Sequence, residues 1–321
     1  MIEIIKRTNI DFMGKRYIAF IVSGVLSLVG ILAIVAIARG TANLGIDFAG
    51  GTAVQVKFDT VVTLHQVRAA LEGNGIKGAD LQDFPSAKKV LIVLKKAGEH
   101  TSSSTSPTSS PTLSSIEKGL SDKVIEALTK GFPGNKITVD SISEIGPKVG
   151  KRLRVDALWA VIASTVGILI YVGWRFQFSF SLGATVATFH DVLAVLGFFY
   201  ITGLEINLIL LTALLTIAGY SLTDTVVVFD RIRENMRVLL KETIDSLINR
   251  SINEVLSRTL ITSLTVLLAS IALFIFGGEV LHDFALAMIL GVLVGTYSSV
   301  FVASPVVLLW SGNKPLIKKQ R

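Results

Sequence analysis

YIAFIVSGVLSLVGILAIVAIA, from Tyr17 to Ala38, runs for 22 residues without a charged side chain. As a helix it would be about 33 Å long, enough to cross a hydrocarbon core of about 30 Å. Five further apolar runs follow, at roughly Val155–Gly173, Ser179–Thr202, Ile206–Phe229, Thr259–Phe276 and Phe284–Leu309. Together they predict an α-helical polytopic membrane protein with six spans. Arg39, Gly40 and Thr41 follow the first run in place of an A-x-A cleavage site. A retained first span is therefore expected, not a cleaved signal peptide.

Charge gathers between these runs. The chain has 321 residues, 51% of them apolar, and a net charge of +7. There is no cysteine, which excludes disulfides and thiolate metal sites. Lys6, Arg7, Lys15 and Arg16 precede the first span, and Arg175 separates the second from the third. Arg231, Arg233, Arg237, Lys241 and Arg250 lie between the fourth and fifth, and Lys314, Lys318, Lys319 and Arg321 end the sequence. The loops at Gly203–Glu205 and Gly277–Asp283 carry neither Lys nor Arg. Positive flanks face the cytoplasm, so both termini are expected there. Lys148, Lys151, Arg152 and Arg154 run against this assignment, but every other flank agrees with it. The positive charge thus reads as membrane orientation, and no nucleic-acid partner is expected.

Residues 40–150 then form an extracytoplasmic (periplasmic) domain, expected to be a small α/β, ferredoxin-like fold. Val54, Val56 and Phe58 alternate as in a half-buried strand. Thr63 can cap a helix whose Leu64, Val67 and Leu71 share a face. Val90–Leu94 reads as a second strand, Ile116, Leu120, Val124 and Leu128 as a second helix, and Ile137 with Val139 as the start of a last strand. Residues 101–115 are almost all Ser, Thr and Pro, a composition that buries no core and predicts a disordered connecting loop. Residues 1–39 form the cytoplasmic N-terminus and first span, 151–310 a five-helix membrane region, and 311–321 a basic cytoplasmic tail. The polar stretch Arg231–Ser257 keeps a helical pattern, which suits an interfacial helix or an ordinary connecting helix pair.

Ionisable side chains inside spans are costly and mark function or fixed pairing. Asp224 sits in the fourth run within Gly219–Thr225, with Ser221 one turn before it. His190 and Asp191 are adjacent in the third run, about 100° apart around a helix. Arg258 opens the fifth, followed by Thr259, Thr262 and Ser263. A carboxylic acid in a low-dielectric medium can cycle between protonated and ionised forms near neutral pH. An arginine that approaches it in only one conformation would couple that cycle to a change of shape. A static buried pair that fixes helix packing is the structural alternative for Asp224, and more so for His190 and Asp191. Asp230 and the charges after it read as a solvated face. Gly45, Asp47, Gly50 and Gly51 belong to GIDFAGG after the first span, a tight backbone turn in which Asp47 is a candidate cap. No H-E-x-x-H, G-x-S-x-G or P-loop is present, so an enzyme, a metal site and a cofactor are not expected.

These motifs resemble the SecD/SecF family of protein-export membrane proteins. GIDFAGG with Thr52 resembles its G-I-D-F-x-G-G-T motif, and His190-Asp191 the H-D of its third span. Gly219–Asn235 (GYSLTDTVVVFDRIREN) resembles its fourth-span signature. Arg258–Ser263 resembles the start of its fifth span, and Gly146–Gly150 its G-P-x-V-G. The six-span layout with one small domain is similar to the SecF branch. The resemblance implies half of a pseudo-symmetric core of the resistance-nodulation-division type, paired with SecD. It also implies association with the SecYEG channel and use of the proton gradient to promote export of polypeptides across the inner membrane. It places Asp224 and Arg258 in proton passage, with a less definite role for His190 and Asp191. The 101–115 run has no counterpart in the family pattern. Two other readings remain open: a subunit of a related proton-driven exporter of small molecules or lipids, and a non-coupling scaffold of the export complex.

Overall fold

The computed structural model describes residues 8–84, 88–95, 113–176, 178–238 and 242–311. Lys6, Arg7, Lys241 and the basic tail residues lie outside these ranges, as do Leu239 and Leu240 and residues 101–112 of the Ser/Thr/Pro run. In chain order the elements are α1 (Arg16–Arg39), α2 (Ile46–Ala49), β1 (Gly51–Phe58), α3 (Leu64–Gly73), β2 (Asp80–Phe84), β3 (Lys89–Lys95), α4 (Leu113–Gly131) and β4 (Ile137–Ile145). The helices α5 (Pro147–Arg175), α6 (Phe178–Thr202), α7 (Leu208–Val238), α8 (Ile244–Phe276), α9 (Gly278–Ser298) and α10 (Ser304–Ser311) follow. The chain divides into one unit of residues 1–43 with 158–321 and another of residues 44–157.

The smaller unit follows a βαββαβ path, and its four strands stand in the antiparallel order β2-β3-β1-β4. This is the ferredoxin-like topology. Val54, Val56 and Phe58 point to one face and are fully buried with Ile92, Val67, Leu71, Val124 and Leu128. At the other end of α4, Leu120 is exposed. Thr63 and Gln66 form a reciprocal capping box at the start of α3. The edge strand β2, Asp-Leu-Gln-Asp-Phe, had no sequence signal, because it lacks β-branched residues and carries two carboxylates. The last three residues of the Ser/Thr/Pro run, 113–115, belong to α4.

In the same unit GIDFAGG forms the short helix α2 and a turn into β1, with Gly50 and Gly51 at positive φ. A Cβ on Gly51 would sit 2.3 Å from the Leu94 carbonyl, and one on Gly150 would sit 3.2 Å from the Gly50 nitrogen. The two glycine motifs therefore meet backbone to backbone, and the approach at Gly51 leaves no room for a side chain. Asp47 stands in the first turn of α2.

The larger unit holds the membrane helices. Among the described residues six helices are long and apolar enough to span a membrane. The α6 helix packs against α1, α7, α9 and α10, and α7 packs against α8 and α9. At the α1–α6 crossing a Cβ on Gly30 would lie 2.3 Å from the Leu193 carbonyl, so the two backbones touch. Within 231–257 both spans continue as helix: α7 runs on to Val238, and α8 begins at Ile244. Arg231 bridges the two helices to Glu254 at 2.7 Å, and the buried Asn235 donates to the same carboxylate at 2.8 Å. This part of the charge cluster thus joins two helices and is not merely a solvated face. The segment before α1 lies along α8, where Asn253 donates to the Ile10 carbonyl and Asn249 accepts from Phe12 and Met13.

Candidate functional site

Polar side chains converge where α6, α7 and α9 meet. Asp191 on α6 is completely buried. Its Oδ2 accepts from the hydroxyls of Ser221 on α7 and Ser298 at the end of α9, the latter at 2.7 Å. Its Oδ1 lies 2.9 Å from the Nδ1 of His190. The His190 Nε2 is buried without a hydrogen-bond partner among the described residues. Asp224 on α7, 6% exposed, accepts from Ser299 at 2.6 Å. The turn spacing read from the sequence does put Ser221 and Asp224 on one helix, but the Ser221 hydroxyl serves Asp191.

From α8, Thr259 faces Asp224. Its hydroxyl is buried and makes no hydrogen bond among the described residues. Ser263, one turn on, accepts from Tyr220 at 2.9 Å and from Thr296 at 2.7 Å. Consecutive helical residues point about 100° apart. With Thr259 turned toward α7, Arg258 is exposed and lines an open polar recess with Asp11, Arg16, Glu234, Arg250 and Glu254. Among the described residues it has no carboxylate within ion-pair distance. The structure thus brings His190, Asp191 and Asp224 into one cluster and leaves Arg258 outside it.

Ser298 and Ser299 were missed in the sequence, and their setting explains why they matter. Ser299–Ala303 forms a single π-helical turn. Pro305 follows one turn later, where its ring crowds the carbonyl of residue 301 and it has no N–H to give. A π turn relieves such crowding, and the Ser304 hydroxyl donates to the Ser299 carbonyl at 3.0 Å. The cluster therefore holds two buried carboxyl groups, an imidazole and the hydroxyls of Ser221, Ser298, Ser299 and Thr259, and no guanidinium or ammonium among the described residues. Each carboxyl touches a hydroxyl, a group that both donates and accepts.

Residues 124–313 match the family model for the protein export membrane protein SecD/SecF, C-terminal, and residues 41–60 match that for the SecD/SecF GG motif. The chain belongs to the SecD/SecF family. Family relatives align along its length. It is 57% identical to the protein translocase subunit SecF of Thermodesulfovibrio yellowstonii, over 99% of this chain and 100% of that protein. It is 41% identical to the subunit of the same name from Calditerrivibrio nitroreducens, over 96% of each. The crystal structure of SecDF, a translocon-associated membrane protein from Thermus thermophilus, superposes with a TM-score of 0.77 at 37% identity. That match covers 95% of this chain and 39% of the SecDF chain. GIDFAGG falls within the second matched range, and the other four motifs read as family signatures, the fourth-span run with Asp224 among them, fall within the first.

Proposed function

We propose that this chain is a non-enzymatic subunit of the Sec protein translocase that works with SecD to couple the proton gradient to polypeptide export. It would sit in the inner membrane beside the SecYEG channel. Its termini would be cytoplasmic and residues 40–150 periplasmic, as the positive flanks at Arg175, Arg231, Arg233, Arg237 and Arg250 favour. The observation that carries the coupling is the pair of buried carboxyls, Asp191 and Asp224, held by hydroxyls and an imidazole with no guanidinium or ammonium beside them among the described residues. An uncompensated charge at this depth costs about 3 kcal/mol. Such a group therefore takes up a proton or a counter-charge when its surroundings allow.

Arg258 is the counter-charge within reach. It is one residue from Thr259, which already faces Asp224, so a rotation of α8 of up to about 100°, shortened by the reach of the arginine side chain, would exchange the threonine for the guanidinium. In this scheme a protonated Asp224 stands with Thr259, and an ionised Asp224 draws Arg258 in. One charge crossing about 100 mV releases about 2.3 kcal/mol. A swing of a two-state element from 1:99 to 99:1 needs about 5.5 kcal/mol, the work of a few protons. His190 and Asp191 would extend the path.

The test is export of a secreted reporter in cells whose only copy carries Asp224→Asn, with membrane level and co-purification with SecD measured alongside. Export at the level of a deletion, with the protein present and bound, supports coupling. Normal export would reduce Asp224 to a packing residue and the chain to a scaffold.

A further inference from the structure

The two carboxyls sit on different helices, yet consecutive residues of a third element hold both. Ser298, the last residue of α9, donates to Asp191, and Ser299, the first residue of the π turn, donates to Asp224. Both serines are completely buried. Each hydroxyl also lies within reach of a second acceptor on its own helix. Ser298 Oγ is 3.1 Å from the Gly295 carbonyl, and Ser299 Oγ is 3.1 Å from the Thr296 carbonyl.

A serine hydroxyl has one proton to give. When the carboxyl is ionised it is an acceptor only, and the hydroxyl donates to it. When the carboxyl is protonated its own O–H becomes a donor, and the serine is free to donate back to its helix. Hydrogen bonding of this kind to a preceding carbonyl bends a helix. Here it would act at the entry to the π turn that precedes Pro305.

Resting on the coupling reading above, we propose that Ser298 and Ser299 are positioning residues: two-way hydroxyls that sense the charge on Asp191 and Asp224 and pass it to the π turn of the sixth span. The titratable groups around Asp224 are Asp191 and His190 from α6 and Tyr220 from its own helix. From α8 come Thr259 and Ser263, which do not titrate, while Arg258 points into the recess. From α9 comes Tyr297, whose hydroxyl donates to the Ala19 carbonyl of α1 at 3.0 Å. None of these groups replaces the serine donors.

The test is an infrared pH titration of the full chain co-purified with its SecD partner, following the carboxyl band that Asp224→Asn removes. Ser299→Ala is expected to move the midpoint of that band by about one pH unit, the size of one lost hydrogen bond to a charged group. Ser299→Thr, which keeps the hydroxyl, is expected to restore it. Ser298→Ala, read on the band that Asp191→Asn removes, is a second arm should the first alanine variant fail to assemble. An unchanged midpoint in the alanine variant, a threonine variant that behaves like alanine, or no band lost in Asp224→Asn overturns the proposal. Because the readout needs no export, it is judged separately from the reporter assay. Normal export in Asp224→Asn would sink the coupling reading while a shifted midpoint still supports the hydroxyl switch.

Discussion

Helices α5 and α6 are neighbours in sequence and read alike as apolar runs, yet they occupy opposite environments. Of the most apolar window of α6, 67% is buried within the chain, against 6% for α5. The more hydrophobic of the two is the exposed one. The same inversion holds across the unit: α1 and α8 have the most apolar windows and little burial, while α6 and α7 have the least apolar and are at least half buried. In water, hydrophobicity drives a residue inward; in a bilayer the lipid is as apolar as leucine, so packing and polar contacts decide what lies inside. The helices that carry His190, Asp191 and Asp224 lie inside because those residues need partners that lipid cannot supply.

The largest effect should come from truncating the buried side. Phe180 on α6 is 1% exposed and meets the Phe229 ring edge-on with centroids 5.1 Å apart. Phe180→Ala is expected to cost about 3–5 kcal/mol, seen as a lower thermal midpoint of the chain in detergent. Next comes the α1–α6 crossing. Gly30→Val would drive a Cβ into the Leu193 backbone and cost about 1–3 kcal/mol, and the same thermal assay would report it. On α5, Ile170 is 67% exposed, and Ile170→Ala should change stability by less than about 0.5 kcal/mol. A loss on α5 as large as that on α6 would contradict the comparison.

The smallest effect lies before the first span. The backbone N–H of Gly14 and the amide of Asn249 hold the Asp11 carboxyl below its ordinary value. A lowered carboxyl contributes stability above its unfolded value and loses it as pH falls through the folded one. Amide exchange across residues 8–14 should therefore quicken on acidification, and Asn249→Ala should weaken that dependence.

Much of this was legible from residues alone. Uninterrupted apolar runs gave the spans, because a bilayer demands length. Asp224 and His190-Asp191 stood out because a charge inside such a run needs a reason. The alternation of Val54, Val56 and Phe58 gave the first strand of the small unit. What escaped was set by orientation and pairing across distance. Ser298 and Ser299 look like ordinary span serines, since serine in a helix can satisfy itself on a preceding carbonyl. Nothing local says that Thr259, and not Arg258, turns toward α7. The pairing of Arg231 with Glu254 spans two helices, so the stretch read as a charged face. The strand β2 is a polar edge strand, and its two carboxylates leave no alternation to read.

The most direct test of coupling is export in inverted membrane vesicles with and without a protonophore, comparing the wild-type chain with Asp224→Asn at equal membrane levels. The account predicts that the proton-gradient-dependent increment of export disappears in the variant while the gradient-independent remainder is unchanged. An increment of wild-type size in Asp224→Asn would contradict it.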